Sequence, residues 1–192
     1  MRARALFLWM CCAGLMLVLH PGPLHAQDGE CLWPGPPQFL MERASPPDSV
    51  MMTMGSGTVK VCYSRPSARG RTVFGELVPW GRVWRTGANE PTILHLPAAA
   101  EVAGVDLEGG SYLILTIPDE EEWTVLFNTA DGGTPMEMFE RMTEVARGRA
   151  PAERLEAHVE TFTMIGTGNG TTAEILLEWE HLRVRIPIGT IP

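Results

Sequence analysis

From residue 50 onward, short apolar runs alternate with turn signals, and this rhythm constrains the fold more than any other feature of the chain. Runs of this length, rich in Val, Ile, Thr and Tyr and bounded by Gly, Pro, Asn and Asp, read as β-strands. Residues 50–54 and 58–64 flank Gly55-Ser56-Gly57, a hairpin signal. In the second run Val59, Val61 and Tyr63 fall on one face and Lys60, Cys62 and Ser64 on the other, because successive side chains of a strand point to opposite faces. Residues 93–96 form a further strand, and 101–102 with 105–107 a small hairpin about Ala103-Gly104. The strongest strands are 111–117 and 123–128, separated by Pro118 and the acids of 119–122; residues 155–165, 172–180 and 182–188 complete the set, with 166–171 as a turn.

One segment departs from this rhythm. Thr134-Pro135-Met136-Glu137 is a capping box with proline at the first helical position. Phe139, Met142, Val145 and Ala146 then recur at helical spacing, and Gly148 offers a stop. About nine strands with one short α-helix near 134–147 predict a mainly β protein, an antiparallel β-sandwich.

The N-terminus reads as an address. Arg2 and Arg4 precede an apolar run over 5–19, and a short polar stretch ends at Leu24-His25-Ala26. This is the pattern of a cleaved export signal, and the run is shorter than the roughly 20 residues that span a bilayer. The expected organisation is a signal peptide over 1–26, a Pro-rich lead-in over 27–49 pinned by Trp33 and Phe39, and a single sandwich domain over 50–192. The expected location is periplasmic or extracellular, with no stable membrane insertion once the signal is removed. An uncleaved anchor is the alternative.

Only Cys31 and Cys62 remain after such a cut. In an oxidising compartment two thiols form one disulfide by default. The alternative is a buried Cys62 in the core with Cys31 unpaired. No Cys or His spacing suggests a metal, and no cofactor is expected.

Charge is unevenly distributed. The chain carries a net charge of -8, and loss of the two leader arginines leaves 13 basic against 23 acidic residues. An acidic balance argues against nucleic acid as a partner. Yet residues 60–85 contain Lys60, Arg65, Arg69, Arg71, Arg82 and Arg85 against Glu76 alone, and Trp80 and Trp84 are interleaved with them. The 27 residues between Ser64 and Thr92 show no clean strand, a length that compact domains reserve for functional loops or hidden structure. Arginine forks pair with carboxylates, phosphates and sulfates, and indole faces stack on sugars or guanidinium groups. Arg65, Arg71 and Arg85 with Trp84, Asn89 and Glu90 are therefore candidates for a pocket taking a small anionic or glycan-like ligand. On the competing reading the arginines pair with the protein's own acids and the tryptophans cap the core. Two further classes stand beside a binding domain: a hydrolase or lyase using Glu76 or Glu90 as base with arginines stabilising negative charge, and a purely structural cell-envelope module. As salt-bridge partners, Glu76 and Glu90 would serve Arg65, Arg71 or Arg85.

The same residues carry a family resemblance. Tyr63-Ser64-Arg65-Pro66, Gly70-Arg71, Phe74-Gly75-Glu76-Leu77-Val78-Pro79 and Trp84-Arg85-Thr86-Gly87-Ala88-Asn89-Glu90 resemble the bacterial family called domain of unknown function 2911. The likeness continues through Gly110-Ser111-Tyr112, Thr116-Ile117-Pro118, Glu122-Trp123-Thr124, Phe127-Asn128 and Leu177-Glu178-Trp179, and covers nearly all of 45–188. It implies an exported, β-rich domain with no assigned activity. Trp80 stands where the family usually has tyrosine, and the helix-forming segment replaces an aromatic stretch after Asn128. Cys62 is also unusual for the family, which favours a disulfide peculiar to this chain.

Other chemistry is weakly signalled. No Gly-x-Ser-x-Gly elbow occurs. Gly166-Thr167-Gly168-Asn169-Gly170 has no following lysine or helix and reads as a hairpin turn. His95, His158 and His181 are isolated in strand-like runs, and the acids of 119–122 read as a solvated turn rather than a calcium loop.

Overall fold

A computed structural model describes residues 29–31, 33, 35–55, 57–130 and 134–191. The expected export signal over 1–26 lies outside them. Nine strands follow in chain order: β1 (Pro47–Met54), β2 (Gly57–Ser64), β3 (Thr92–Leu96), β4 (Ala100–Val102), β5 (Val105–Leu107), β6 (Gly110–Ile117), β7 (Glu122–Thr129), β8 (Glu144–Gly168) and β9 (Thr172–Thr190). Two short helices, α1 (Pro37–Met41) and α2 (Pro135–Arg141), stand outside the sheet. All strands belong to one open sheet ordered β1-β2-β3-β6-β7-β8-β9-β4-β5, and every named pair is antiparallel.

The sheet becomes a sandwich because β8 serves both halves. Its first part pairs with β7 through Pro151, and from Ala152 it pairs with β9. The two halves then lie face to face over one core. Val59 and Val61 of β2, Leu94 of β3 and Val125 and Phe127 of β7 meet Met164 of β8 and Ile175, Leu177, Val184 and Ile186 of β9. The halves approach closely where β1 crosses β8: a Cβ on Gly166 would lie 2.5 Å from Met52 Cγ and 2.7 Å from Val50 Cγ2.

The inner face of β2 follows the alternation, with Val59, Val61 and Tyr63 buried. Cys62 and Ser64 on its other face are buried too, because the lead-in covers them. Cys31 is disulfide-bonded to Cys62, with a Cα–Cα separation of 5.5 Å. The lead-in contains α1, a helix that its proline-rich sequence does not signal, and Leu40 at 4% exposure is its anchor. Phe39 is instead 63% exposed.

The capping box forms as expected: Glu137 N–H donates to Thr134 Oγ1 at 3.3 Å, and Thr134 N–H donates to Glu137 Oε2 at 2.8 Å. Met138 then covers Leu113, Leu115 and Leu126 on the outer face of β6 and β7. The helix ends at Arg141, short of the expected 147. Met142 is already extended at ψ 143°, and β8 begins at Glu144. Val145 and Ala146 are therefore strand residues, since the free edge of β7 offers backbone partners that an isolated helical turn cannot match.

Candidate functional site

The segment between β2 and β3 has hidden order. Phe162 N–H donates to Pro66 O at 2.8 Å, and Ala68 N–H donates to Glu160 O at 2.8 Å, so its start runs beside β8. Val73 and Val78 are buried in the core, and a Val78 N–H to Val73 O bond of 2.8 Å closes a hook between them. Glu180 clamps this hook. Its Oε1 accepts from Val73 N–H at 3.0 Å and its Oε2 from Phe74 N–H at 3.1 Å. Glu180 adopts φ +50° in the middle of β9, an uncommon conformation for a non-glycine residue that turns its carboxylate to this task. Further on, Trp84 and Thr116 exchange backbone bonds of 2.7 and 2.9 Å.

Trp84 belongs to the core rather than to an open wall. Its ring stacks on Trp179 at 5.9 Å and meets Trp123 and Phe162 edge-on. The three candidate arginines are dispersed. Arg65 donates to Phe162 O at 3.4 Å and Thr163 Oγ1 at 2.9 Å and pairs with Asp48 at 3.3 Å, joining β1 to β8. Arg71 folds back on its own turn, donating to Ala68 O and Ser67 O, each at 2.8 Å. Arg85 lies over the Phe139 ring of α2 at 5.5 Å and reaches Asn89 O at 3.5 Å.

Asn89 and Glu90 face the lead-in. Asn89 Nδ2 donates to Ser45 O at 3.0 Å. Glu90, 5% exposed, accepts from Ser64 Oγ at 3.0 Å on one oxygen and from Arg43 on the other. The expected pairing of Glu90 with Arg65, Arg71 or Arg85 is thus replaced by Arg43, which sits outside the basic cluster and had no sequence signal. Arg69 adds a bond to Ala44 O at 2.8 Å, and Arg65 N–H one to Pro46 O at 2.9 Å. Together with the disulfide, these contacts fasten the lead-in over β2. Glu76 lies on the exposed outer side of the hook.

A cleft of about 470 Å³ is lined by Phe74 and Trp80 of the hook, Glu120 and Glu121 of the β6–β7 turn, and Arg154 and His181 of β8 and β9. Trp80 is 37% exposed and stacks on Phe74 at 5.5 Å with an interplanar angle of 24°. Gly75 makes room for the indole: a Cβ there would come within 3.1 Å of Trp80 Nε1, and its φ of +95° suits glycine. Behind Phe74, Trp123 packs edge-on at 5.4 Å with its Nε1 buried and without a hydrogen-bond acceptor. The cleft therefore offers an aromatic platform flanked by polar side chains. Its carboxylates outnumber its one arginine. Trp80 and Trp84 are alike in the sequence, each an indole among arginines, and only the fold pairs Trp80 with Phe74.

No group of three or more His, Cys, Asp or Glu side chains able to hold a metal occurs among the described residues. His95 is half-buried, with Nδ1 at 2.8 Å from Ser111 Oγ, and burial followed by repulsion from Lys60 depresses its pKa. Among the described residues no helix is long and apolar enough to cross a membrane.

The model of a family described as a protein of unknown function (DUF2911) matches residues 45–188. No curated protein and no solved structure was found to match the chain. Every residue of the hook and its clamp lies within the matched region, whereas Cys31, Leu40 and Arg43 lie before it. The chain belongs to this family.

Proposed function

We propose that this member of the DUF2911 family is an exported, non-enzymatic binding domain that takes a small glycan-like ligand in the cleft walled by Phe74 and Trp80. The observation that carries the reading is the exposed indole of Trp80, held flat on Phe74 at the cleft wall. A supported aromatic face is the surface on which an apolar sugar face stacks. Glu120, Glu121 and Arg154 around it supply acceptors and donors for hydroxyl groups. Of the two ligand classes expected from the sequence, the glycan is favoured over the anion. The arginines that would bind an anion are engaged with carbonyls, Asp48 and Phe139, and the cleft itself is rich in carboxylates.

Export is supported by the leader-like N-terminus and by a disulfide of the kind that persists in oxidising compartments. Fractionation of cells expressing the full chain should recover it outside the cytoplasm with a new N-terminus at Gln27; retention in the cytoplasm with Met1 intact refutes export.

Binding is tested by thermal stabilisation across a panel of neutral and charged oligosaccharides. Wild type is expected to respond to at least one neutral sugar and Trp80→Ala to none, with Arg71→Ala responding like wild type. No response across the panel refutes the reading. A structural envelope module is the second reading, favoured by the many motif side chains that fasten the lead-in. It predicts no sugar response from wild type.

A further inference from the structure

We propose that His158 and His181 form a two-histidine site for a borderline divalent transition metal such as zinc, nickel or copper. The two residues are far apart in sequence, and a bulge brings them together. The β8–β9 register breaks between Arg154 and Val159, so the intervening β8 residues loop out opposite His181. The ring centroids stand 5.3 Å apart at an interplanar angle of 69°, and both residues are exposed.

Three features suit coordination. The first is spacing. Two imidazoles sharing one tetrahedral ion at about 2.0–2.1 Å place their ring centroids about 5 Å apart. The observed separation needs no strand movement to accept an ion, only side-chain rotation. The second is the proton on His181. Its Nδ1 lies 3.3 Å from Leu155 O, and a carbonyl can only accept. The neutral ring therefore carries its proton on Nδ1 and leaves the Nε2 lone pair free, the orientation by which an outer hydrogen bond prepares a histidine ligand. The third is chemistry. A pair of neutral imidazoles suits zinc, nickel and copper, while calcium and magnesium prefer oxygen ligands.

The described residues place no third ligand beside the pair, so two protein nitrogens hold the ion and water completes the shell. His181 also lines the cleft. The site nonetheless stands on the bulge geometry alone and does not depend on a sugar occupying that cleft.

The test uses the tag-free chain. Calorimetric titration with zinc and with nickel is expected to show one equivalent bound. His158→Gln and His181→Gln should each weaken binding at least tenfold, with the metal-free melting temperature unchanged because both side chains are exposed. Electron paramagnetic resonance of the one-equivalent copper complex, which needs no variant, should show two imidazole nitrogens equatorial to the metal. Absence of binding by wild type, wild-type affinity in either variant, or fewer than two imidazole nitrogens on copper overturns the proposal.

Discussion

Glu90 accepts Ser64 Oγ at 3.0 Å and an Arg43 guanidinium while only 5% exposed. Removing the carboxylate takes the acceptor from a buried hydroxyl and one charged partner from a partly buried guanidinium. Arg43 keeps a third of its side-chain exposure, so solvent screens part of the loss. Glu90→Ala is expected to lower unfolding free energy by about 2 kcal/mol, below the full cost of breaking a deeply buried pair, as measured by urea denaturation. Tyr63 poses a different residue-scale question. Its hydroxyl accepts from Met164 N–H at 3.0 Å and points at Asp48, and burial raises its pKa to about 12. The folded state thus holds this proton more tightly than the unfolded state. Its contribution is fully present below pH 10 and is lost as pH rises from 10 through 12. Tyr63→Phe should be about 1 kcal/mol less stable at pH 7, from the unsatisfied Met164 N–H, and should lose less than wild type on titration to pH 12. An equal alkaline loss in both proteins would show that the phenol is not the titrating group.

Among the elements, those set by side-chain pattern were legible and those set by backbone pairing were not. The alternation of 58–64, the apolar run of 111–117 and the capping box at Thr134 are local signals, and each started the expected strand or helix, although the helix stops at Arg141. Residues 144–154 carry no large apolar run, and their core-facing side is only Ala146, Gly148, Ala150 and Ala152. They are strand because β7 needs a neighbour, and Arg147–Glu144 and Arg149–Glu122 pairs occupy their exposed side. The expected strands 172–180 and 182–188 are one continuous β9, because the polar Glu180-His181 pair between them does not end the strand: Glu180, at φ +50°, turns its carboxylate to clamp the hook. Close approach is also invisible before folding. A Cβ on Gly148 would meet Ala103 O at 2.6 Å and Ala103 Cβ at 2.7 Å, so β8 passes against the β4–β5 turn only because residue 148 has no side chain. Gly148→Ala is expected to destabilise by about 1–3 kcal/mol through this overpacking, read from the shift in denaturation midpoint. The lead-in is held by one covalent bond as well as by Glu90. Replacing both Cys31 and Cys62 by alanine should lower stability by about 3–4 kcal/mol, the loop-closure value for a 31-residue separation. Adding reductant to wild type should reproduce the same loss.

At the scale of the molecule, one open sheet folded over by β8 encloses a continuous core, and the hook closes one side of it with Val73, Val78 and Trp84. The segregated positive charge of residues 60–85 was the compositional sign that something unusual happens there, and its resolution is largely internal. Arg65 meets Asp48, and Arg69 N–H and the Arg69 guanidinium reach Glu160 and Ala44 O. The arginines knit the segment to β1, β8 and the lead-in, while the aromatic pair beside them faces the cleft. Sequence spacing cannot separate these two tasks, because Trp80 and Trp84 look alike until one is stacked on Trp179 and the other on Phe74. The site reading rests on that division of labour. Resolved indole and guanidinium resonances would report it directly during titration with a sugar that stabilises the protein. The account predicts that the Trp80 indole and His181 imidazole signals shift on binding while those of Arg65 and Arg71 stay fixed. Shifts confined to Arg65, Arg71 and Arg85, with Trp80 unmoved, would contradict it.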